Sequence, residues 1–497
     1  MNPKRLDETS DVVLAVWQEQ LEEAKDKPWL ASLLLRQGEQ IYRRFAYFYE
    51  QLLALPRKTR RLVQKRLATT LVGAALLLAL AGPIAPAVHA ATITVHPVST
   101  GVNGSDGGCS LVEAILTANT GTYSSGDCSG GTTGPDTITL AGNTYSYNAP
   151  YGATMNALPT IDSQITINAN NATIRRSGGS NFRVLQVNSG ADLTLNNATI
   201  SGGNVPWPGS GTFSNYYGGG IKNLGTLAVN NSTISNNSAG WGGGVFSRAP
   251  GGGSATLINC TISGNLANQI GAGVYSGGNG TTTTIESSTI SGNGNGSTVD
   301  GGGIYGLGGT INISHSIVSG NTASGANEIY NWFSKIYAND YNLFGDSSHT
   351  NAQAFYAFTP GTNDFTATSD GTIPTAIGNI LNTALANNGT VPHTFTHALV
   401  SGSPAIDNVP EGFPGCYSGI SVDQRGAARA GGTDKGGVYC DIGAFEYGST
   451  LSPTAVTIEG LMARGEGQAG TAVVGVTGVM ALLTGGWLAG VRRRKAK

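Results

Sequence analysis

Short apolar–polar alternations return along this chain at a nearly constant interval. The triplet Thr-Ile-Ser stands at Thr199–Ser201, Thr233–Ser235, Thr261–Ser263 and Thr289–Ser291, and Ile317-Val318-Ser319 continues it. Its central residues Ile200, Ile234, Ile262, Ile290 and Val318 are 34, 28, 28 and 28 positions apart. Gly-Asn or Asn-Asn follows all but the first of these triplets (Asn236-Asn237, Gly264-Asn265, Gly292-Asn293, Gly320-Asn321). A second, glycine-rich motif alternates with the first and ends at Ile221, Val245, Val274 and Ile304. Segments such as TLAVN and ATLIN lie between them and alternate in the manner of strands.

Strands this short cannot bury an apolar face alone. Stacked in register, each coil covers the next and a continuous core results. The period therefore predicts an all-β chain, a right-handed parallel β-helix of about nine coils from residue 91 to about 345, with three short strands per coil. Glycine allows the sharp corners, and asparagine tolerates left-handed backbone while its amide hydrogen-bonds along a stack of like residues. Weaker copies at 165–174 and 182–195 extend the stack toward the N-terminus.

Composition changes the picture in one respect. The 74 glycines and only 12% charged residues would suit a disordered chain, but their fixed spacing with apolar residues argues for a turn-rich repeat. Charge is strongly segregated. Residues 1–66 hold 13 of the 28 Lys and Arg, and the last six residues hold 5 more. Residues 91–449 carry 9 basic against 19 acidic residues, a net of −10, which disfavours nucleic acid as a partner.

The ends read as export and attachment. Residues 1–66 form a mixed-charge extension with helical periodicity, an α-helical leader. Residues 67–90 follow as an apolar run and a small-residue cleavage site between Ala90 and Ala91. Residues 448–468 read as a linker, 469–491 as an uncharged transmembrane or sorting helix, and 492–497 as a basic tail on the cytoplasmic side. The body is thus expected outside the cell, tethered to membrane or wall by its C-terminus. Five cysteines fit such a chain. Cys109 pairs with Cys128 and Cys416 with Cys440 by proximity. Cys260 falls in a column of small residues (Ala198, Ser232, Ser288, Ser316) two positions before each key Ile or Val, and reads as a buried, inert thiol.

Three segments carry resemblances. CSLVEAILTAN (109–119), followed by GPDTITLAGNTY (134–145), resembles the CSLREA-type domain of exported bacterial β-helix proteins, with Val112 where that motif has Arg. The repeats are similar to right-handed parallel β-helix proteins of pectate-lyase architecture. HALVSGSPAIDN (397–408), DQRG (423–426) and CDIGAFE (440–446) resemble the choice-of-anchor domain that precedes varied C-terminal tails. These resemblances imply a CSLREA-like start over 91–160, β-helix repeats over 161–345, a loop-rich extension over 346–396 and an anchor-proximal cap over 397–447.

Candidate chemistry is sparse. Glycoside hydrolysis needs two facing carboxylates. Between Gly190 and Tyr330 the acids are Asp192, Glu286, Asp300 and Glu328, spread over several coils, and the bases are Lys222 and Arg248. His393 and His397 stand four apart, but in an apparent loop. No catalytic residue, metal ligand or cofactor is assigned. Asp407, Asp423, Arg425, Arg429, Asp441 and Glu446 are the densest polar set and read as an Arg–carboxylate network holding the cap, with a calcium or ligand site as the alternative. One pattern points to binding. Lys222, Phe246, Tyr275 and Tyr305 follow the glycine-rich apolar positions and Tyr330 continues them after Ile329, so alternation turns them outward as an aromatic stripe flanked by Trp241. The expectation is a structural or adhesive surface protein whose partner is a polysaccharide or surface protein. The alternative is a polysaccharide lyase or glycoside hydrolase of β-helix type.

Overall fold

A computed structural model describes residues 91–449, apart from 97–106, 122–126, 129–134, 211, 249–252, 295–299, 390–393, 414–415, 417–419 and 430–438. The leader, the apolar run at 67–90 and the segments from 450 onward lie outside the described residues. Among the described residues no helix is long and apolar enough to cross a membrane.

The repeats wind into a parallel β-solenoid of the right-handed type. Nine strands stack in one sheet, from Thr92–Thr94 through Asp192–Asn196 and Thr226–Asn230 to Lys335–Tyr337. Nine more form a second sheet that carries the Thr-Ile-Ser triplets. Seven form a third, from Leu185–Val187 to Phe355–Tyr356, built on the glycine-rich motif. Ile200, Ile234, Ile262 and Ile290 pair in register and are fully buried, as are Ile221, Val245, Val274, Ile304 and Ile329. Period-2 alternation sends these residues inward, where they join Leu193, Leu227 and Leu257 of the first sheet in one core.

Asparagine serves this stack in two ways. Asn197, Asn231 and Asn259 take left-handed backbone at the corner before each triplet, and Ser287 and His315 continue the column. After the triplet, a buried ladder runs inside the solenoid. The Nδ2 of Asn237 donates to Asn265 Oδ1, Asn265 to Asn293, Asn293 to Asn321, and Asn321 to Glu328 Oε2, at 2.6–3.0 Å. Burial holds the Glu328 carboxyl well above its ordinary range.

A helix, α1 (Leu111–Thr120), packs Leu111, Val112, Ala114, Ile115 and Ala118 into the core near the first strands. Its start is a capping box in which Ser110 Oγ accepts from Glu113 N and Glu113 accepts from Ser110 N. Val112, standing where the resembled motif has Arg, is a core residue. Two disulfides join Cys109 to Cys128 and Cys416 to Cys440. Cys260 is free and fully buried, its thiol pushed up to about 12 by burial, and Sγ lies 3.2 Å from the carbonyls of Val229 and Ile258. Ser288 and Ser316 place hydroxyls at the same point of their coils. Cys260→Ser should therefore shift stability by less than about 1 kcal/mol, whereas Cys260→Leu overpacks the column and costs about 1–3 kcal/mol in denaturant unfolding.

The C-terminal region does not sit beyond the last coil as a separate cap. Residues 394–397, 422–429 and 441–446 lie along the side of the Thr-Ile-Ser sheet. Gln424 Nε2 donates to Thr233 Oγ1 at 3.0 Å, and Thr261 Oγ1 donates to Gln424 Oε1 at 2.6 Å. Ala444 N donates to Thr289 Oγ1 at 3.1 Å, and Gly443 N to the His315 carbonyl at 2.8 Å. His397 Nδ1 donates to the Asn382 carbonyl, which leaves Nε2 to accept from Ser263 Oγ at 2.8 Å. Gly443 has φ +100°, and a Cβ there would stand 2.8 Å from Thr289 Oγ1, so the clasp requires glycine at that point.

Candidate functional site

The residues singled out for binding do form one column. Lys222, Phe246, Tyr275, Tyr305 and Tyr330 are register partners on successive strands of the third sheet, and Tyr356 follows. Their side chains leave the sheet on the face opposite the main core, as alternation requires, and Phe246, Tyr275, Tyr305 and Tyr330 form a separate apolar cluster.

The expected open stripe is corrected by burial. Phe246 and Tyr275 are 0% exposed, Tyr305 6% and Tyr330 8%, while Trp241 is half-buried. The glycine-rich turn explains this. Gly242, Gly271 and Gly301 have left-handed φ, and a Cβ on them would come within about 2.7–3.1 Å of the Cβ of Phe246, Tyr275 and Tyr305. Each aromatic residue thus lies back over the glycine four positions before it. The rings then stack nearly parallel. Tyr217–Phe246 centroids are 4.3 Å apart, Phe246–Tyr275 4.6 Å, Tyr275–Tyr305 5.8 Å, Tyr305–Tyr330 5.1 Å and Tyr330–Tyr356 4.3 Å, with interplanar angles of 15° or less. Trp241 covers one edge, 5.1 Å from Tyr217 and 5.4 Å from Tyr275.

The ladder surfaces at its C-terminal end. Tyr356 is 48% exposed and Trp332 41%, and both lie within 14° of the buried Tyr330 plane. Phe333 (85% exposed, φ +65°) stands edge-on to Trp332, and Tyr337 is exposed nearby in sequence. Trp332 and Tyr356 thus make an aromatic shelf seated on the stack beneath them. The sequence pattern does not single them out. Their signal was the run Tyr330-Asn331-Trp332-Phe333 at the end of the column.

At the other end a cleft of about 440 Å³ opens, lined by Ser214, Tyr217, Lys222, Leu224, Arg248 and Asn279, with Phe246 closed to solvent in its back wall. Lys222 is half-buried, and burial, followed by the neighbouring Arg183, lowers its ammonium to about 8.

The remaining polar candidates are structural. Arg425 holds Asp423 at 2.6 Å and lies 3.6 Å over the Phe445 ring. Arg429 reaches Glu446 at 3.5 Å and donates to Asn259 Oδ1 and to the carbonyls of Asp441 and Gly443. Asp441 accepts from the backbone N–H of Asp407 and of Tyr447. Burial raises the Asp441 and Glu446 carboxyls, and Arg429 pulls them back down. These carboxylates are occupied in fastening the clasp. Among the described residues no three His, Cys, Asp or Glu side chains gather as a metal site, and His393 lies outside them. Of the four acids in the repeats, Glu328 ends the buried Asn ladder, Asp192 and Glu286 lie on strands of the first sheet, and Asp300 bridges Ile270 beside the glycine turns.

No protein-family model matches the chain, and no curated protein sequence does. Among solved structures, the crystal structure of pectate lyase Pel9A is similar at 16% identity with a TM-score of 0.35, over 72% of this chain and 97% of that one.

Proposed function

We propose that this is an exported surface protein of the CSLREA-type, choice-of-anchor kind, whose solenoid is a rigid non-catalytic scaffold presenting an aromatic shelf to saccharide chains. The carrying observation is that Trp332 and Tyr356 are exposed rings, each stacked nearly parallel on the buried Tyr330. Flat, pre-ordered aromatic faces suit the C–H faces of sugar rings and lose little side-chain entropy on binding. The two disulfides support an oxidising compartment outside the cytosol. Membrane or wall attachment through 469–491 belongs to the same proposal.

Tyr275 and Tyr305 are packing residues, so substituting them probes stability first. Trp332→Ala and Tyr356→Ala instead remove exposed rings. Each is expected to weaken retention on neutral cell-wall polysaccharide in affinity electrophoresis at least tenfold, with an unchanged melting temperature. Retention equal to wild type in both variants would refute the shelf. Release of new reducing ends or unsaturated products from the polysaccharide would favour the lyase or hydrolase reading instead.

A further inference from the structure

The cleft at the N-terminal end of the ladder is built by the one long interval in the repeat. Ile200 and Ile234 are 34 residues apart, against 28 between the triplets that follow. The added length includes Trp207 and a short 3-10 turn, Phe213–Tyr216, that folds Phe213 onto Trp207, Tyr217 and Trp241 with centroids 4.5–5.8 Å apart. Insertions in a solenoid commonly collect on the face that binds. This one raises Ser214 and Tyr217 as a wall facing Lys222 and Arg248.

The charge of that hollow runs against the rest of the body. Residues 91–449 hold 9 basic and 19 acidic side chains, yet two of the bases line one cleft. Among the described residues neither Lys222 nor Arg248 has a carboxylate at ion-pair distance. Lys222 Nζ donates to the Ser214 carbonyl at 3.3 Å, so the insertion itself helps aim it. A half-desolvated ammonium without a counter-ion is costly, and an incoming anion offsets that cost. Behind the cleft, the Tyr275 hydroxyl is closed to solvent and has no hydrogen-bond partner among the described residues. It packs on Gly277, where a Cβ would stand 2.5 Å away.

We infer that this cleft binds an acidic saccharide, its carboxylate or sulfate held between Lys222 and Arg248 and its ring against the Tyr217 and Leu224 wall. The inference rests on the saccharide reading proposed above and adds a charge requirement at a second site. Charge-assisted contacts of this kind give specificity for the anionic group, while the apolar wall accepts the sugar body.

The test uses the full chain and three probes in titration calorimetry. These are a glucuronate-containing oligosaccharide, its carboxyl-reduced neutral form, and a sulfated oligosaccharide lacking carboxylate. The expected result is at least tenfold tighter binding of one or both acidic probes than of the neutral form. The two acidic arms show which oxyanion is taken. Lys222→Gln and Arg248→Gln should each erase that preference while leaving shelf-dependent retention of neutral polysaccharide intact. Neutral and acidic probes binding alike, or an acidic preference that survives both substitutions, would overturn the cleft and leave the shelf standing. No binding of any probe, together with no retention of neutral polysaccharide, would overturn both.

Discussion

Replacing Arg429 with methionine should release the C-terminal clasp from the side of the solenoid. Arg429 is 1% exposed and bonds Asn259 on the solenoid to Gly443, Asp441 and Glu446 in the clasp. Methionine fills much of the volume but removes the donors to Asn259 Oδ1 and to the Gly443 and Asp441 carbonyls together with the cation beside Glu446, a loss of about 3–5 kcal/mol. The effect should be local. Hydrogen exchange of residues 422–429 and 440–447 should accelerate strongly while strands such as Thr226–Asn230 keep their protection. Unchanged exchange in the clasp would contradict this account. The pH dependence has a definite sign. The Glu446 carboxyl sits above its ordinary range because of burial and then Asp441. The docked clasp therefore holds more protons than the opened one, and its stability falls as pH climbs from the ordinary carboxylate range upward. Without Arg429 to draw that carboxyl down, the fall should be steeper.

Asn293→Ala should damage the solenoid itself. Asn293 is fully buried. Its Oδ1 accepts from both the backbone N–H and Nδ2 of Asn265, and its Nδ2 donates to the Ile262 carbonyl and Asn321 Oδ1. Alanine orphans these groups in a place water does not reach. At about 1–3 kcal/mol for an unsatisfied buried group, the expected loss is on the order of 4 kcal/mol, allowing for partial relaxation. Because neighbouring coils stabilise one another in sequence, the denaturant transition should broaden or split as the stack parts near that rung. A single sharp transition at the wild-type midpoint would show that the ladder is dispensable. Asn230→Ala is the control. Its amide donates to Asn196 on the half-buried outer side of the first sheet, and the loss there should be about 1 kcal/mol.

What the sequence disclosed follows from how local the information is. The pairing of Ile200, Ile234, Ile262 and Ile290, and the column from Lys222 to Tyr330, depend only on a two-residue alternation repeated at coil spacing, and both appear in the structure as read. Both disulfides join cysteines fewer than 25 residues apart. Alternation says which face a ring leaves by, not how deep the bed beneath it lies, so the burial of these rings is not legible in the sequence pattern. Gly242, Gly271 and Gly301 supply that bed, each four residues before its ring. Helix α1 was legible in Ser110 and Glu113, a Ser-x-x-Glu capping box ahead of an apolar run, but the surrounding strand signals obscured it. The lateral clasp had no local signal. Gln424 meets Thr233 across 191 residues, and nothing in either segment names the other. The long interval at Ile200–Ile234 was visible as a number, but that it raises the wall of a cleft became apparent only with Ser214 and Tyr217 in place.

The clasp also governs how the molecule would bear a mechanical load. Tension applied at residue 449 does not arrive at the final coil, where strands could be peeled away one after another. It passes first through 440–447, which grip Thr289 and His315, and through 422–429, which grip Thr233, Asn259 and Thr261. The pull is therefore taken by contacts on several coils before the final coil is loaded.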